Sequence, residues 1–160
     1  MTTRYNSITI VWVLFGFAIL ASGCNSEPDI YPISGKVTLG GKSYERLIVH
    51  MRPIDEPVTQ FNMGVGETDA DGNLTFGSAA GNGLAAGKYR VSFTCFQTTD
   101  GKSIDALNEK YGEDGGSEPV EIVPPPYDYE TNADSSPLEF EVGKTESGNE
   151  FVFDIPVESG

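Results

Sequence analysis

Short segments that alternate between apolar and polar residues, separated by glycine, proline and aspartate, run through the chain from Tyr31 to Val157. Alternation with a period of two places every second side chain on the same face of a β-strand. The strongest such segment is Lys88 to Phe96, in which residues 89, 91, 93 and 95 form an apolar face. No long stretch has the 3.6-residue period of a helix. The sequence therefore predicts an all-β fold in which seven short strands pack around one core as a β-sandwich.

Two glycine-containing turns divide the first strands. Gly40 and Gly41 follow a predicted strand that ends at Leu39, and a tight hairpin turn needs the positive φ angles that glycine tolerates. The pair Asp71-Gly72 predicts a second hairpin, whose later strand contains Leu74 and Phe76. Between these turns, a strand near Arg46 to Arg52 is predicted to direct Leu47, Val49 and Met51 to one face.

One insertion, residues 98–135, interrupts this rhythm before the last pair of strands. Ser103 can cap a short helix that ends at Gly112. One face of that helix would carry Ile104, Leu107 and Tyr111. The rest is predicted to be loop and extended polyproline. Long loops at the end of a sandwich often carry binding sites, but a mobile linker fits the same composition.

A group of aromatic and acidic residues lies near the end of this insertion. The candidate binding loop consists of Tyr127, Asp128, Tyr129 and Glu130. Such side chains could hold a sugar or a basic peptide, and a solvated loop explains the same residues.

The N-terminus has the pattern of a secretion signal that ends in a lipidated cysteine. Arg4 precedes the apolar run Ile8 to Leu20, which small residues and Cys24 follow. A transmembrane helix needs about 20 apolar residues, more than this run contains, so an uncleaved anchor is the weaker alternative. A lipobox is cut between Gly23 and Cys24, and the thiol then carries a diacylglycerol group. We therefore predict a signal peptide at 1–23, a lipidated tether at 24–30 and a sandwich domain at 31–160.

Lipidation predicts an exported protein that is held to a membrane of the cell envelope by its acyl chains. Asn25 follows the cysteine. Aspartate at that position commonly retains a lipoprotein at the inner membrane of a two-membrane envelope. Asn25 therefore favours the outer membrane over the inner one.

The charge of the chain limits its partners. It has 10 Lys and Arg against 24 Asp and Glu, a formal net charge of -14. Such a surface repels nucleic acid and anionic headgroups, so nucleic acid binding is excluded. The acidity has two explanations, solubility of a solvated surface and capture of cations or basic partners.

The residues that could support catalysis are few. Lipidation of Cys24 leaves Cys95 without a partner, and its place on an apolar strand face predicts a small buried hydrophobe. His50 is the only histidine, and it falls on the outward face of its strand, where it should be exposed or packed at an edge. One histidine cannot supply a zinc site with two histidine ligands. Glu139 and Glu141 fit a solvated strand face better than a glycosidase pair. No catalytic residue and no cofactor are predicted.

A metal site has one minor candidate, which the hairpin explains without a metal. Asp69, Asp71 and Asn73 carry alternating oxygen side chains around Gly72, as at the start of an EF-hand loop. The glycine is at the wrong position of such a loop, and Ala80 stands where a bidentate glutamate is needed. We predict no metal.

Several motifs occur in an order that is similar to a known family. They are Tyr31–Thr38, Gly40–Lys42, Thr68–Leu74, Gly87–Val91, and the later Pro125–Tyr127 and Ser136–Leu138. Together they resemble the carboxypeptidase regulatory-like (transthyretin-like, prealbumin-like) domain of small bacterial envelope lipoproteins. The resemblance covers nearly all of 31–157 and implies a seven-stranded Ig-like or transthyretin-like sandwich that stabilises or binds and does not catalyse. It supplies no functional residue to transfer.

Three functional hypotheses follow. The first is a lipid-anchored structural or interaction module of the cell envelope, non-catalytic, with the membrane as one partner and an envelope protein or glycan as another. The second is a binding protein that presents 98–135 to a carbohydrate, peptide or cation. A hydrolase is a distant third.

Overall fold

The computed structural model describes residues 27–104 and 119–157. The predicted signal peptide, Cys24 and residues 105–112 of the helix predicted after the Ser103 cap lie outside these ranges. Within the described residues the elements are β1 (Ile30–Tyr31), β2 (Ile33–Leu39), β3 (Ile48–Pro53), β4 (Gly64–Thr68), β5 (Asn73–Ser78), β6 (Leu84–Ala85), β7 (Gly87–Thr94), β8 (Phe96–Gln97), β9 (Val120–Glu121), α1 (Tyr129–Asn132), β10 (Glu139–Val142) and β11 (Asn149–Ile155). The prediction of a β-rich fold is confirmed. No helix in the described residues is long and apolar enough to cross a membrane.

Seven strands form one mixed sheet in the order β10-β7-β3-β4-β5-β2-β11. Neighbours are antiparallel except β2 and β11, which run parallel with Gly35 opposite Phe151. The two end strands approach each other, since the rings of Phe140 and Phe151 lie 5.1 Å apart between centroids. The Gly143 N–H also donates to the Asn149 Oδ1 at 2.8 Å. The sheet is therefore nearly closed into a barrel.

The Gly40-Gly41 turn forms, but it does not join two long paired strands. Both glycines have positive φ, +58° and +75°, and the Leu39 N–H donates to the Lys42 carbonyl at 2.9 Å. Beyond that bridge the chain crosses to β3, which pairs with β4 and β7, whereas β2 pairs with β5 and β11. The two glycines allow the chain to reverse direction at this turn, but burial of side chains across the whole sheet determines which strands β2 and β3 pair with. The Asp71-Gly72 turn does join a paired hairpin, β4 and β5, as predicted.

The core contains the side chains that the alternation directs inward. Leu47, Val49 and Met51 are fully buried, and so are Val91 and Phe93. These positions confirm the predicted inward faces of β3 and β7.

Two inward positions on β4 are glycines, which make room for side chains of β5. A Cβ on Gly66 would lie 2.5 Å from the Phe76 ring and 2.6 Å from Leu74 Cδ1. The apolar side chains beside these glycines point away from the core: Met63, directly before β4, is 36% exposed, and Val65 is half-buried. Close packing of the core therefore requires glycine at these positions as well as apolar side chains at the others.

Residues 127–138, which we call the strap, lie along the outer edge of β7 and lead into β10. The Phe93 N–H donates to the Tyr127 carbonyl and the Val91 N–H to the Leu138 carbonyl, both at 2.9 Å. Helix α1 lies within the strap. As a result Ser92 and Thr94, on the face of β7 opposite the core, are buried.

Candidate functional site

The only histidine lies beneath the strap. His50 projects from β3 on the face opposite the core, and its ring stacks on Tyr129 of α1 with centroids 3.9 Å apart. Its Nε2 is 3.1 Å from the Thr94 hydroxyl oxygen. Burial lowers the pKa of His50 from 6.5 to about 4, so the ring is neutral at pH 7. The outward direction was predicted correctly, but the expectation of an exposed or edge-packed ring was wrong, because β3 lies between β4 and β7 and Tyr129 covers the ring.

Asp128 holds the start of α1 in place. It adopts an extended conformation, and its Oδ2 accepts hydrogen bonds from the Thr131 N–H at 3.0 Å and the Thr131 hydroxyl at 2.6 Å. Its Oδ1 accepts one from the Asn132 side chain at 2.6 Å. Burial acts to raise the pKa of Asp128, but these hydrogen bonds lower it below its usual value. The residue is an N-cap, which stabilises a helix by satisfying its first free N–H groups.

Three further contacts hold the strap to the sheet. Arg52 and Asp134 form an ion pair at 2.9 Å, and the Arg90 guanidinium donates to the Ser136 carbonyl at 2.6 Å. Ser136 is fully buried, and its hydroxyl donates to the Val91 carbonyl at 2.5 Å. The strap is therefore held at both ends.

The candidate binding loop lies within the strap, and most of its side chains have structural partners. Tyr127 is half-buried with its ring 5.8 Å from that of Phe153, Asp128 caps α1 and Tyr129 covers His50. Glu130 is exposed.

A groove of about 700 Å³ lies beside Tyr127, and we call it the proline groove. Prolines and other apolar residues line it together with a tyrosine: Ile122, Pro124, Pro125, Pro126, Tyr127, Pro156 and Val157. It belongs to the 98–135 region that the sequence marks for binding, together with the end of the last strand. Prolines and a tyrosine offer flat apolar surface against which a ligand can pack.

Cys95 is a buried residue in an environment that suppresses thiolate chemistry. It is 1% exposed, and burial, followed by the charge of Glu121, raises its pKa to about 12. The Glu121 Oε1 accepts the N–H groups of Cys95 and Val123 at 2.9 Å each. The Glu121 Oε2 is buried without a hydrogen-bond partner among the described residues, and burial raises the pKa of that carboxyl. The prediction of a small buried residue at position 95 is confirmed.

The minor metal candidates form a hydrogen-bonded turn. The Asp69 Oδ1 accepts the N–H groups of Asp71 and Asn73 at 2.9 Å each, and its Oδ2 accepts the Asn73 side chain at 2.9 Å. The hydrogen bonds from Asn73 lower the pKa of Asp69. Both oxygens of the carboxylate therefore serve the turn. No group of three or more His, Cys, Asp or Glu side chains could hold a metal ion within 27–104 and 119–157.

A second groove, which the sequence did not indicate, opens beside β1. We call it the N-terminal groove, and its volume is about 690 Å³. Four separate stretches of chain line it: residues 27–31, 56–62, 85–86 and Lys144. Because the stretches are far apart in sequence, no local motif could have revealed it.

Comparison with known proteins gave no match to any protein-family model, curated protein or solved structure. The function must therefore be inferred from the residues and contacts described above.

Proposed function

We propose that the mature protein is a lipid-anchored structural or interaction module of the cell envelope, non-catalytic, in which Cys24 carries the lipid. The lipobox pattern before Cys24 is the observation that carries this proposal. The fold begins at Ile30, only six residues later. Six extended residues span at most about 20 Å, so a lipid on Cys24 would hold the β domain close to the bilayer surface.

The environments of the reactive side chains support a non-catalytic role. His50 is neutral and stacked under Tyr129, and the hydroxyl it contacts belongs to Thr94, which is 6% exposed. Thr94 is therefore shielded from a substrate, and the strap covers one face of the half-buried His50 ring. Cys95 is buried and protonated. A hydrolase needs a nucleophile that its base and its substrate can both reach.

We propose further that the domain is a transthyretin-like sandwich of the carboxypeptidase regulatory-like type. The order of the turn and strand-start motifs supports this assignment, and so does the number of strands around the core.

Labelling with a fatty acid tests the anchor. Cells that express the full chain should incorporate the label into the protein, and Cys24→Ala should abolish it. Cys95→Ala is the matched control, because it removes the other cysteine and should leave labelling unchanged. Unchanged labelling of Cys24→Ala would contradict the proposal. Separation of the inner and outer membranes then tests the location of the protein. The unaltered protein should be found in the outer membrane, and Asn25→Asp should shift it to the inner membrane.

The proline groove supports a second candidate, a binding protein that presents the 98–135 region to a peptide or carbohydrate. Its volume of about 700 Å³ is within the usual range of ligand sites. Glycan and peptide arrays probed with the full chain would identify a ligand. Val157→Asp should abolish the signal by placing a charge in the groove. Val152→Asp alters a valine of β11 that is also exposed but does not line the groove, and it should leave the signal intact. Equal loss in both variants would contradict this candidate.

A further inference from the structure

The N-terminal groove has an apolar floor that the fold holds in place. Tyr31 and Phe61 are half-buried within it, next to Ala85 and Ala86. Pairing of Tyr31 with Leu84 attaches β1 to β6, and the Ala85 N–H donates to the Phe61 carbonyl at 2.7 Å. The backbone that carries both rings is therefore held by the fold itself.

The wall formed by the β3–β4 loop is fixed by a buried amide. Asn62 is 5% exposed, and its Oδ1 accepts the Thr59 N–H at 2.6 Å and the Thr59 hydroxyl at 3.0 Å. Its Nδ2 donates to the Pro57 carbonyl at 2.9 Å. These bonds fold residues 57–62 into a closed loop beside the rings, and Glu56 enters the groove at the start of that loop.

The rim of the groove is acidic. Glu27, Asp29 and Glu56 line it and are exposed, while Lys144 is the only basic residue among the described residues that line it. The ion pairs among the described residues join other side chains, so none of these three carboxylates is neutralised by a basic partner there. The charge of Glu56 also reaches an adjoining pocket of about 220 Å³, where burial, followed by that charge, raises the pKa of Tyr89 to about 12.

We propose that the N-terminal groove binds a basic segment of a partner protein, with a lysine or arginine head at the carboxylates and its aliphatic stem on Tyr31 and Phe61. Aromatic rings and carboxylates together recognise a long cationic side chain, because the stem buries apolar surface while the charge stays paired. A second copy of the chain does not fit, since its net charge of -14 would be repelled. This inference rests on the proposed interaction role and names the chemistry of the partner.

Binding of a labelled peptide tests the groove. The full chain, in neutral detergent, is titrated into a fluorescein-labelled ten-residue peptide of alternating lysine and alanine, and anisotropy gives the Kd. The triple variant Glu27→Gln, Asp29→Asn, Glu56→Gln should raise the Kd by about tenfold. Each exposed carboxylate is expected to contribute a few tenths to about 1 kcal/mol to binding, and a tenfold change in Kd corresponds to about 1.4 kcal/mol. The control triple variant Glu45→Gln, Glu141→Gln, Glu150→Gln removes as many exposed carboxylates outside the groove and should change the Kd by less than about twofold.

A second pair of variants tests the opposite direction. Lys144→Gln removes the basic residue that lines the rim in the described part of the chain, and it should tighten binding of the lysine peptide. Lys42→Gln, at the Gly40-Gly41 turn outside the groove, should not. All these substitutions are at exposed positions, and circular dichroism would verify the fold. Equal effects of the groove and control variants would overturn the proposal, and so would the absence of binding to the unaltered chain. Fatty-acid labelling is independent of this outcome, so failure of the groove and failure of the anchor can be distinguished.

Discussion

The position of His50 under the strap predicts a specific dependence of stability on pH. The pKa of His50 is about 4 in the folded protein, against 6.5 for an exposed histidine. Between these values the unfolded chain binds a proton that the folded chain does not, so the free energy of unfolding falls as the pH decreases. Above pH 6.5 the ring is neutral in both states and no stability is lost.

The size of this effect follows from the two pKa values. Complete protonation of the buried ring would cost about 3 kcal/mol, and at pH 4.5 most of that, about 2 kcal/mol, has been lost. This is a large part of the stability of a small domain, which is about 5–15 kcal/mol. Thr94 and Tyr129 contact the ring directly, and the Arg52–Asp134 pair holds the strap over it.

Two measurements isolate the histidine. Because His50 is the only histidine, its ring protons give one NMR titration, which should have a midpoint near pH 4. Urea unfolding at pH 7.5 and 4.5 should show a loss that is about 2 kcal/mol smaller in His50→Gln, since its amide does not titrate. The carboxylates titrate in both proteins and cancel in this difference. An NMR midpoint near 6.5, or equal losses in the two proteins, would refute the reasoning.

Three further predictions concern the strap and the core. Tyr129→Ala should destabilise the protein by about 1–2 kcal/mol and raise the histidine NMR midpoint, because it removes an aromatic contact and exposes the imidazole; an unchanged midpoint would show that the stack does not shield the ring. Gly66→Ala places a Cβ 2.5 Å from the Phe76 ring and should cost about 1–3 kcal/mol in urea unfolding, whereas Gly77→Ala meets nothing closer than 3.5 Å and should cost less. Asp128→Ala removes the cap of α1 and should cost about 1 kcal/mol or more, and Asp128→Asn should restore part of that loss because asparagine also caps; equal losses would argue against the cap.

The strand positions were predictable because burial imposes a period of two on the sequence. Tyr89, Val91, Phe93 and Cys95 alternate in the sequence and are buried together in the structure. The Asp71-Gly72 hairpin was predictable for a related reason, since its turn residues and both strands are contiguous. The pairing of β2 with β5 and β11 was not, because it joins segments far apart in the chain.

The candidate binding loop shows where local composition is ambiguous. Tyr127, Asp128 and Tyr129 look like a ligand site in sequence, yet their side chains pack against Phe153, cap α1 and cover His50. Aromatic and acidic residues serve packing and capping as well as binding, and only the neighbours of each side chain decide which.

The sequence by itself determined the β-rich fold, the inward faces of its main strands and the lipobox pattern at Cys24, because each is written in contiguous residues. The tertiary structure decided the order of strands in the nearly closed sheet, the cover over His50 and the two grooves. Each of these features brings together side chains that are distant in the chain. Their positions are set by which surfaces the whole fold can bury at once, and no local pattern encodes that.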